Sequence, residues 1–162
     1  MISVVLGFPR VINEKAARTV AAVVALAGVI ALASGAHWLL VPLAYGFWAR
    51  VLAGPRFSPL AQLATKVVAP RLGPPRDVAG PPKRFAQGMG AAITTLGVVA
   101  LALGWSTVTA ILLVMLVVAA TLEAALGLCI GCRIFALMIR AGIVPETVCV
   151  ECADISARLQ RA

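Results

Sequence analysis

Four long apolar runs dominate this sequence and restrict the folds that are open to it. They cover about residues 18–35, 37–53, 85–104 and 106–128. A helix needs about 20 predominantly apolar residues to cross a bilayer. Hydrophobic residues make up 62% of the chain and charged residues 12%, whereas soluble domains carry about 25% charged residues. We therefore predict an all-α membrane protein of four transmembrane helices, forming a single domain over residues 1–162.

Short turns separate the runs within each half of the chain. Gly35 and Ala36 separate the first two runs, and Gly104 lies between the last two. A tryptophan follows each glycine closely, Trp38 in the first turn and Trp105 in the second. Small residues beside a tryptophan are typical of tight turns at a membrane interface. The pattern predicts two helical hairpins joined by a longer central loop.

Basic residues are confined to three segments that would all lie on the same side of the membrane. The two predicted turns carry none of the fourteen, which are Arg10, Lys15, Arg18, Arg50, Arg56, Lys66, Arg71, Arg76, Lys83, Arg84, Arg133, Arg140, Arg158 and Arg161. The positive-inside rule makes that side cytoplasmic, so both termini and the tail over 129–162 are predicted to be inside. The net charge of +8 does not indicate a nucleic-acid partner, because the basic segments lack interleaved aromatics that would stack bases.

The central loop contains its own predicted element. Ser58 can cap a helix that has Pro59 in its first turn,. An apolar stripe at helical spacing follows, at Leu60, Leu63, Ala64, Val67 and Val68. We expect a short amphipathic helix on the cytoplasmic membrane surface, ending before Pro70. The Pro- and Gly-rich segment 73–82 is predicted to be a linker,.

All four cysteines fall in two CxxC pairs beyond the last run. Cys129 and Cys132 come where the fourth run should leave the membrane, and Cys149 and Cys152 lie in the tail. One interpretation is dithiol chemistry. A helix break at Gly127 or Gly131 would put the first pair at a helix N-terminus, where the dipole favours a nucleophilic thiolate. The second pair would then exchange with the first through a mixed disulfide.

The same four cysteines also suit a metal ion. The spacing C-x₂-C-x₁₆-C-x₂-C falls in the range of four-thiolate zinc sites,. A closed zinc site on Cys129, Cys132, Cys149 and Cys152 would attach the tail to the end of the fourth span. An iron–sulfur cluster could use the same ligands. The spacing indicates a cysteine site without deciding between redox chemistry and metal binding.

Glu123 is the one acidic residue within a predicted span. A carboxylate in hydrocarbon is costly and usually finds a partner. Counting about 1.5 Å per residue from the outer turns places Arg50 and Glu123 at similar depths in the inner leaflet. We therefore expect an ion pair between Arg50 and Glu123 that joins the second span to the fourth. A proton-accepting role for Glu123 beside the first cysteine pair is the functional alternative.

Three segments resemble a bacterial membrane family known as domain of unknown function 4395. They are GPRFSPL at 54–60, PPKRFAQGMG at 81–90 and EAALGLCIGC at 123–132, and the similarity extends from about Val11 to Cys132. The resemblance implies a small multi-span protein of the bacterial inner membrane. It also implies thioredoxin-like or sulfurtransferase partners, which agrees with thiol or sulfur-transfer chemistry.

These observations support one leading functional hypothesis and two alternatives. The leading hypothesis is a membrane-embedded thiol-redox or sulfur-relay protein. In it Cys129 and Cys132 are the reactive pair, and Cys149 and Cys152 are a relay or resolving pair that exchanges with them. The first alternative is a scaffold or assembly subunit whose zinc is purely structural. The second is a transporter of small molecules or sulfur species, for which four helices would need a homo-oligomer.

Overall fold

The computed structural model describes residues 9–145, and within them the chain is mostly helical. A short strand precedes each half of the bundle, and a helix follows the last long one. The elements are β1 (Val11–Asn13), α1 (Glu14–Ser34), α2 (Leu40–Ala53), α3 (Pro59–Leu63), α4 (Ala69–Arg71), β2 (Asp77–Ala79), α5 (Gly80–Ala102), α6 (Ser106–Leu126) and α7 (Ile130–Arg140). Two 3-10 turns (His37–Leu39 and Gly54–Arg56) and a π-helical turn (Ala64–Val68) complete the chain of helical segments.

Three helices, α1, α5 and α6, are long and apolar enough to cross a membrane. They correspond to the first, third and fourth predicted runs. The second run is divided between a 3-10 turn and α2, which has 14 residues. Helix α5 begins at Gly80, five residues before the predicted run, because Pro81 and Pro82 fit the first turn of a helix, where an N–H is not needed,.

The long helices pack across the two halves of the chain. Helix α1 packs mainly on α6 and α2 mainly on α5, while α5 also packs on α6. The expected hairpin of the first two runs is not confirmed, because α1 and α2 barely contact each other. Glycines allow the close approaches: a Cβ at Gly97 would lie 3.1 Å from the Leu40 side chain, and one at Gly90 would overlap the Phe47 ring.

The bundle has two unlike ends. The tip end holds the turns at Gly35 and Gly104, where both glycines have positive φ angles. The base end holds the N-termini of α1 and α5, the C-termini of α2 and α6, and the β1–β2 ribbon. The ribbon is antiparallel and pairs Val11 with Ala79. It corrects the prediction that 73–82 is only a linker, since this segment contains β2 and the start of α5.

The α3–α4 segment confirms one prediction and corrects another. The Ser58 side chain caps α3 by accepting from the backbone N–H of Ala61, at 3.3 Å. The helical segment does not end before Pro70 but continues to Arg71 through the π-helical turn. In that turn the N–H of Ala69 donates to the carbonyl of Ala64, five residues back, and both alanines are buried. Part of the predicted membrane-facing stripe therefore packs against the bundle instead.

Candidate cysteine site at the base end

A helix break places the first cysteine pair. Helix α6 ends at Gly127, which adopts φ +67°, a left-handed conformation that favours glycine,. The Arg18 guanidinium supports this terminus by donating to the carbonyls of Ala124 (3.1 Å) and Ala125 (2.8 Å). A cation at these carbonyls also interacts favourably with the C-terminal end of the helix dipole. The chain therefore turns sharply before Cys129, as the Gly127 pattern predicted.

Cys129 is the N-cap of α7, and its sulfur accepts from the backbone N–H of Cys132 at 3.3 Å. The two Sγ atoms lie close enough to form a disulfide, with the Cα atoms 5.2 Å apart,. The predicted position of the pair at a helix N-terminus is confirmed. The cysteines differ in access, since Cys129 is only 8% exposed and Cys132 is half-buried.

Close packing fixes α7 on α5. Gly131 lies so near α5 that a Cβ there would come within 2.6 Å of the Ala86 Cα. One turn further along, the Phe135 ring packs on the Phe85 ring, with centroids 5.6 Å apart. Gly131 was predicted as a possible helix break, but it is part of the first turn of α7 and provides this close contact instead.

An open cleft of about 700 Å³ adjoins the disulfide. Its walls come from the ribbon, the start of α5, the end of α6 and one side of α7. Both cysteines line it, together with three basic residues, Lys83, Arg133 and Arg140. One acid, Glu14, also lines the cleft, but it forms an ion pair with Arg76 at 3.0 Å. The cleft thus places the cysteine pair in basic surroundings.

The buried acid Glu123 pairs with Lys83 rather than with Arg50. The Lys83 ammonium contacts Glu123 Oε1, and Lys83 is only 7% exposed. The structure therefore corrects the direct contact predicted between Arg50 and Glu123, although the two charges still attract each other. Arg50 donates instead to Gln87 Oε1 at 2.7 Å. Depth along the helices brought Arg50 and Glu123 to the same level, but the rotation of α5 places Lys83 next to the carboxylate.

Four residues singled out from the sequence do come together at the base end. A small cavity of about 90 Å³ is lined by Arg50, Glu123 and Cys129, and Cys132 lies next to Cys129 within reach of a disulfide. Cys149 and Cys152 lie outside the described residues. Within residues 9–145 no group of three or more His, Cys, Asp or Glu side chains could hold a metal. The predicted zinc site also needs the tail cysteines, so it stays a prediction.

Sequence reasoning missed Lys83 and Gln87. Lys83 was assigned no role because the third predicted run starts at Phe85, which left Lys83 in a loop, whereas Gln87 lies inside that run and was not considered as a partner. The available signal was the helix-starting Pro81–Pro82 pair, which puts Lys83 and Gln87 one turn apart on α5,. A helix drawn from Gly80 would have offered both side chains as partners for the buried charges.

The family model described as domain of unknown function (DUF4395) matches residues 12–140. The chain belongs to this family. The match covers the long helices, all of α7 with Cys129 and Cys132, and the ribbon except for Val11, so it confirms the resemblance seen in the sequence. No curated protein and no solved structure matches the chain.

Proposed function

We propose that this protein is a membrane-embedded thiol–disulfide exchange or sulfur-relay protein whose working pair is Cys129 and Cys132. The observation that carries the proposal is the position of this pair. Both sulfurs lie within bonding distance at the N-terminus of α7 and border the open cleft. Helix N-termini and nearby basic side chains stabilise thiolates, which are the nucleophiles and leaving groups of disulfide exchange.

Placement in a membrane is supported by the apolar surface of the long helices. Large side chains that a soluble protein would bury are exposed along them, including Leu26, Ile30, Leu96, Ile111 and Met115. Contiguous exposed apolar surface of this kind needs a lipid or protein cover. Trp38 and Trp105 are exposed at the tip end, where indoles suit a membrane interface,.

We propose that α2 with its preceding 3-10 turn is a fourth span. Helix α2 contributes 14 residues and the turn three. At about 1.5 Å per α-helical and about 2.0 Å per 3-10 residue, the pair is about 27 Å long, near the roughly 30 Å of a hydrocarbon core. Its outer face carries exposed Val41, Tyr45 and Trp48. A short span of this kind is accommodated by local thinning of the bilayer.

The charge distribution supports an orientation with the base end in the cytoplasm of a bacterium. The basic residues of the described chain lie in the segments that form this end, as shown by Arg18 on the end of α6 and by Arg84 donating to the Val51 carbonyl at 3.0 Å. The positive-inside rule assigns such an end to the cytoplasm. That compartment favours the dithiol form of the pair, and the exchange step described next converts the disulfide into that form.

The exchange step follows from the unequal access of the two sulfurs. The thiolate of a partner dithiol attacks Cys132 Sγ, the more exposed sulfur, and forms a mixed disulfide. The Cys129–Cys132 bond breaks and Cys129 leaves as a thiolate, which accepts from the N–H of Cys132 at the helix N-terminus. The second partner thiol then attacks the partner's own sulfur in the mixed disulfide, and Cys132 leaves as a thiolate. Two electrons pass from the partner dithiol to the pair.

The Lys83–Glu123 ion pair is the buried charged pair that adjoins the cleft. Lys83 lines the cleft together with both cysteines, whereas Glu123 lines only the small cavity and reaches the cleft through its ion pair with Lys83. The proton-accepting role first considered for Glu123 is therefore proposed for the Lys83–Glu123 pair. The partner dithiol is Cys149–Cys152 of the same chain, or a thioredoxin-like or sulfurtransferase protein in the cytoplasm.

Trapping a mixed disulfide tests the proposal. The reduced full chain in lipid nanodiscs is reacted with a small protein that carries a disulfide. The attacking cysteine thiolate forms a mixed disulfide and one partner thiol leaves, and the products are identified by peptide mass spectrometry. We expect Cys129→Ser to accumulate a mixed disulfide at Cys132, since the resolving thiol is gone. We expect Cys132→Ser to react at least about tenfold more slowly, because the remaining thiol is 8% exposed,.

Serine is itself a good N-cap, so Cys129→Ser preserves the start of α7. The matched control is the Cys149→Ser/Cys152→Ser double variant, which separates the role of the tail from that of the first pair. One zinc ion per purified chain, lost when either pair is replaced, together with no titratable thiol in the native protein, would instead establish the structural zinc site.

A further inference from the structure

The open cleft beside the first cysteine pair has a net positive charge. Its charged lining consists of three basic residues and one acid, Lys83, Arg133, Arg140 and Glu14. The ion pair with Glu123 neutralises Lys83. The ion pair with Arg76 neutralises Glu14. The charges that remain in the cleft are therefore those of the two arginines on α7.

Arg133 and Arg140 are available to a ligand. Both are exposed, and within residues 9–145 neither side chain forms a hydrogen bond or an ion pair. They lie almost two helical turns apart on α7, so they share one face of the helix and are separated by about 10 Å along its axis,. Cys132 precedes Arg133 and lines the same cleft. An anion held by these arginines would therefore lie beside the more accessible sulfur of the pair.

The size and shape of the cleft suit a small molecule. It measures about 700 Å³, within the range of roughly 300–1,000 Å³ that is usual for small-molecule sites. Ala136 and Leu137 line it between the two arginines and offer apolar contacts. Cys129 is 8% exposed and Cys132 is half-buried, so both sulfurs are recessed in the concave surface. A slim molecule reaches such a sulfur more easily than a folded domain does.

We propose that the electron acceptor of the first cysteine pair is a small disulfide that carries carboxylates, held in the cleft by Arg133 and Arg140. Guanidinium groups bind carboxylates through paired, charge-assisted hydrogen bonds. One carboxylate of the ligand lies near the sulfur, on Arg133, and another lies about 10 Å away, on Arg140. The inference rests on the proposed thiol exchange and names the class of substrate that returns the dithiol to the disulfide.

The reaction consists of two exchange steps. The Cys132 thiolate attacks one sulfur of the small disulfide, the S–S bond of the ligand breaks, and the first small thiolate leaves. The Cys129 thiolate then attacks Cys132 Sγ in the mixed disulfide, and the second small thiolate leaves. Two electrons pass from the dithiol to the acceptor, and the two small thiolates take up the two protons that the dithiol loses.

Reaction rates with three small disulfides of different charge test the proposal. The protein is the reduced full chain carrying Cys149→Ser and Cys152→Ser, in nanodiscs of zwitterionic lipid, so that Cys129 and Cys132 are the thiols that react. The acceptors are glutathione disulfide, which is anionic, bis(2-hydroxyethyl) disulfide, which is neutral, and cystamine, which is cationic. Each rate is divided by the rate of free dithiothreitol with the same disulfide, which corrects for intrinsic reactivity. We expect the corrected rate to be about tenfold higher for the anionic disulfide than for the neutral one, and lowest for the cationic one.

Arginine variants locate the source of this preference. Arg133→Gln combined with Arg140→Gln should abolish it, and because the preference is a ratio measured on one protein, a general loss of activity does not imitate this result. Arg76→Gln leaves the Glu14 carboxylate unpaired in the cleft and should lower the preference. The matched control is Arg71→Gln, which removes the same charge from an exposed position outside the cleft and should keep the full preference.

The outcomes separate this inference from the thiol exchange on which it rests. Equal corrected rates for the three disulfides would overturn the inference and leave the exchange standing, as would a preference that persists in the double arginine variant. A preference that disappears in nanodiscs containing anionic phospholipid would show that the arginines hold lipid headgroups, and would also overturn it. No reaction of Cys132 with any of the three disulfides would overturn the exchange itself and this inference with it.

Discussion

The two ends of the bundle are built in different ways. At the tip end the chain turns at Gly35 and Gly104, tryptophans are exposed, and no Lys or Arg is present. At the base end a two-stranded ribbon, a buried ion pair, two cavities and a disulfide meet within a few helical turns. The chain reverses direction after a long apolar helix at both ends, but the reactive cysteines and the buried charges lie at the base end.

The two ends differ in how many charged groups they bury. A turn at a membrane interface needs only a glycine and an amphipathic anchor, and the tip end has little more. Burying Arg50 and Lys83 in the base end carries a desolvation cost that a simple turn does not require,. If the proposed exchange is correct, substitutions of the base-end charges should alter the cysteine site as well as stability.

The buried ion pair should give the largest effect. Replacing Lys83 by Met leaves Glu123 as an unpaired charge in the interior, which costs about 3–5 kcal/mol for a broken buried pair. The free energy of unfolding in an SDS titration measures this loss. Disrupting the exposed pair through Arg76→Ala should cost less than about 1 kcal/mol, because Arg76 is 68% exposed,.

A double variant distinguishes the effect of leaving Glu123 unpaired from the effect of changing the size of the side chains. Lys83→Met combined with Glu123→Leu removes both charges and should recover most of the lost stability, since apolar replacements for a buried pair are often neutral. The same variant should slow exchange at Cys132 if the pair handles protons for the cleft. If Lys83→Met and Arg76→Ala destabilise the protein equally, the claim that the buried ion pair contributes more than the exposed one is wrong.

Matched glycine substitutions compare the two ends directly. Gly127 has φ +67° at the base end and Gly104 has φ +74° at the tip end. Alanine at either position should cost about 1–2 kcal/mol, because the left-handed conformation is unfavourable for residues with a Cβ. Only Gly127→Ala should also change the reduction potential of Cys129–Cys132, since it displaces the start of α7. A similar change in Gly104→Ala would show that the two ends are coupled through the bundle.

Much of the helical framework was accessible from the sequence because its signals are local. Long apolar runs predicted α1, α5 and α6, and the serine before Pro59 predicted the cap of α3. The glycines around the first CxxC predicted a helix break there, which the structure has at Gly127, and a helix N-terminus at this cysteine pair. In each case the determining residues lie within about one helical turn of the feature that they specify.

The partners of the buried charges were not accessible in this way. Counting residues along a helix gives depth but not the direction that a side chain faces, so Arg50 was matched to Glu123 by level alone. The pairing with Lys83 depends on how α5 is rotated against α6, which close contacts such as Gly90 on Phe47 determine. The β1–β2 ribbon was missed for a related reason, since it joins segments more than 60 residues apart.

Substitutions at the C-terminal ends of α6 and α1 should give the smallest difference in unfolding free energy between the base end and the tip end. Arg18 donates to two carbonyls at the base end of α6, and Ser34 donates to the Ile30 carbonyl at the tip end of α1. Arg18→Met keeps the aliphatic stem but loses both charged hydrogen bonds and the dipole contact, so we expect a loss of about 0.5–1 kcal/mol. Ser34→Ala should cost near zero, because this hydroxyl bonds back to its own helix. Unfolding titrations at low and high salt test the cause: salt should shrink the Arg18→Met effect and leave Ser34→Ala unchanged. A salt-independent loss would mean that Arg18 acts through packing, and the base end would then differ from the tip end in its chemistry but not in how it secures its helices.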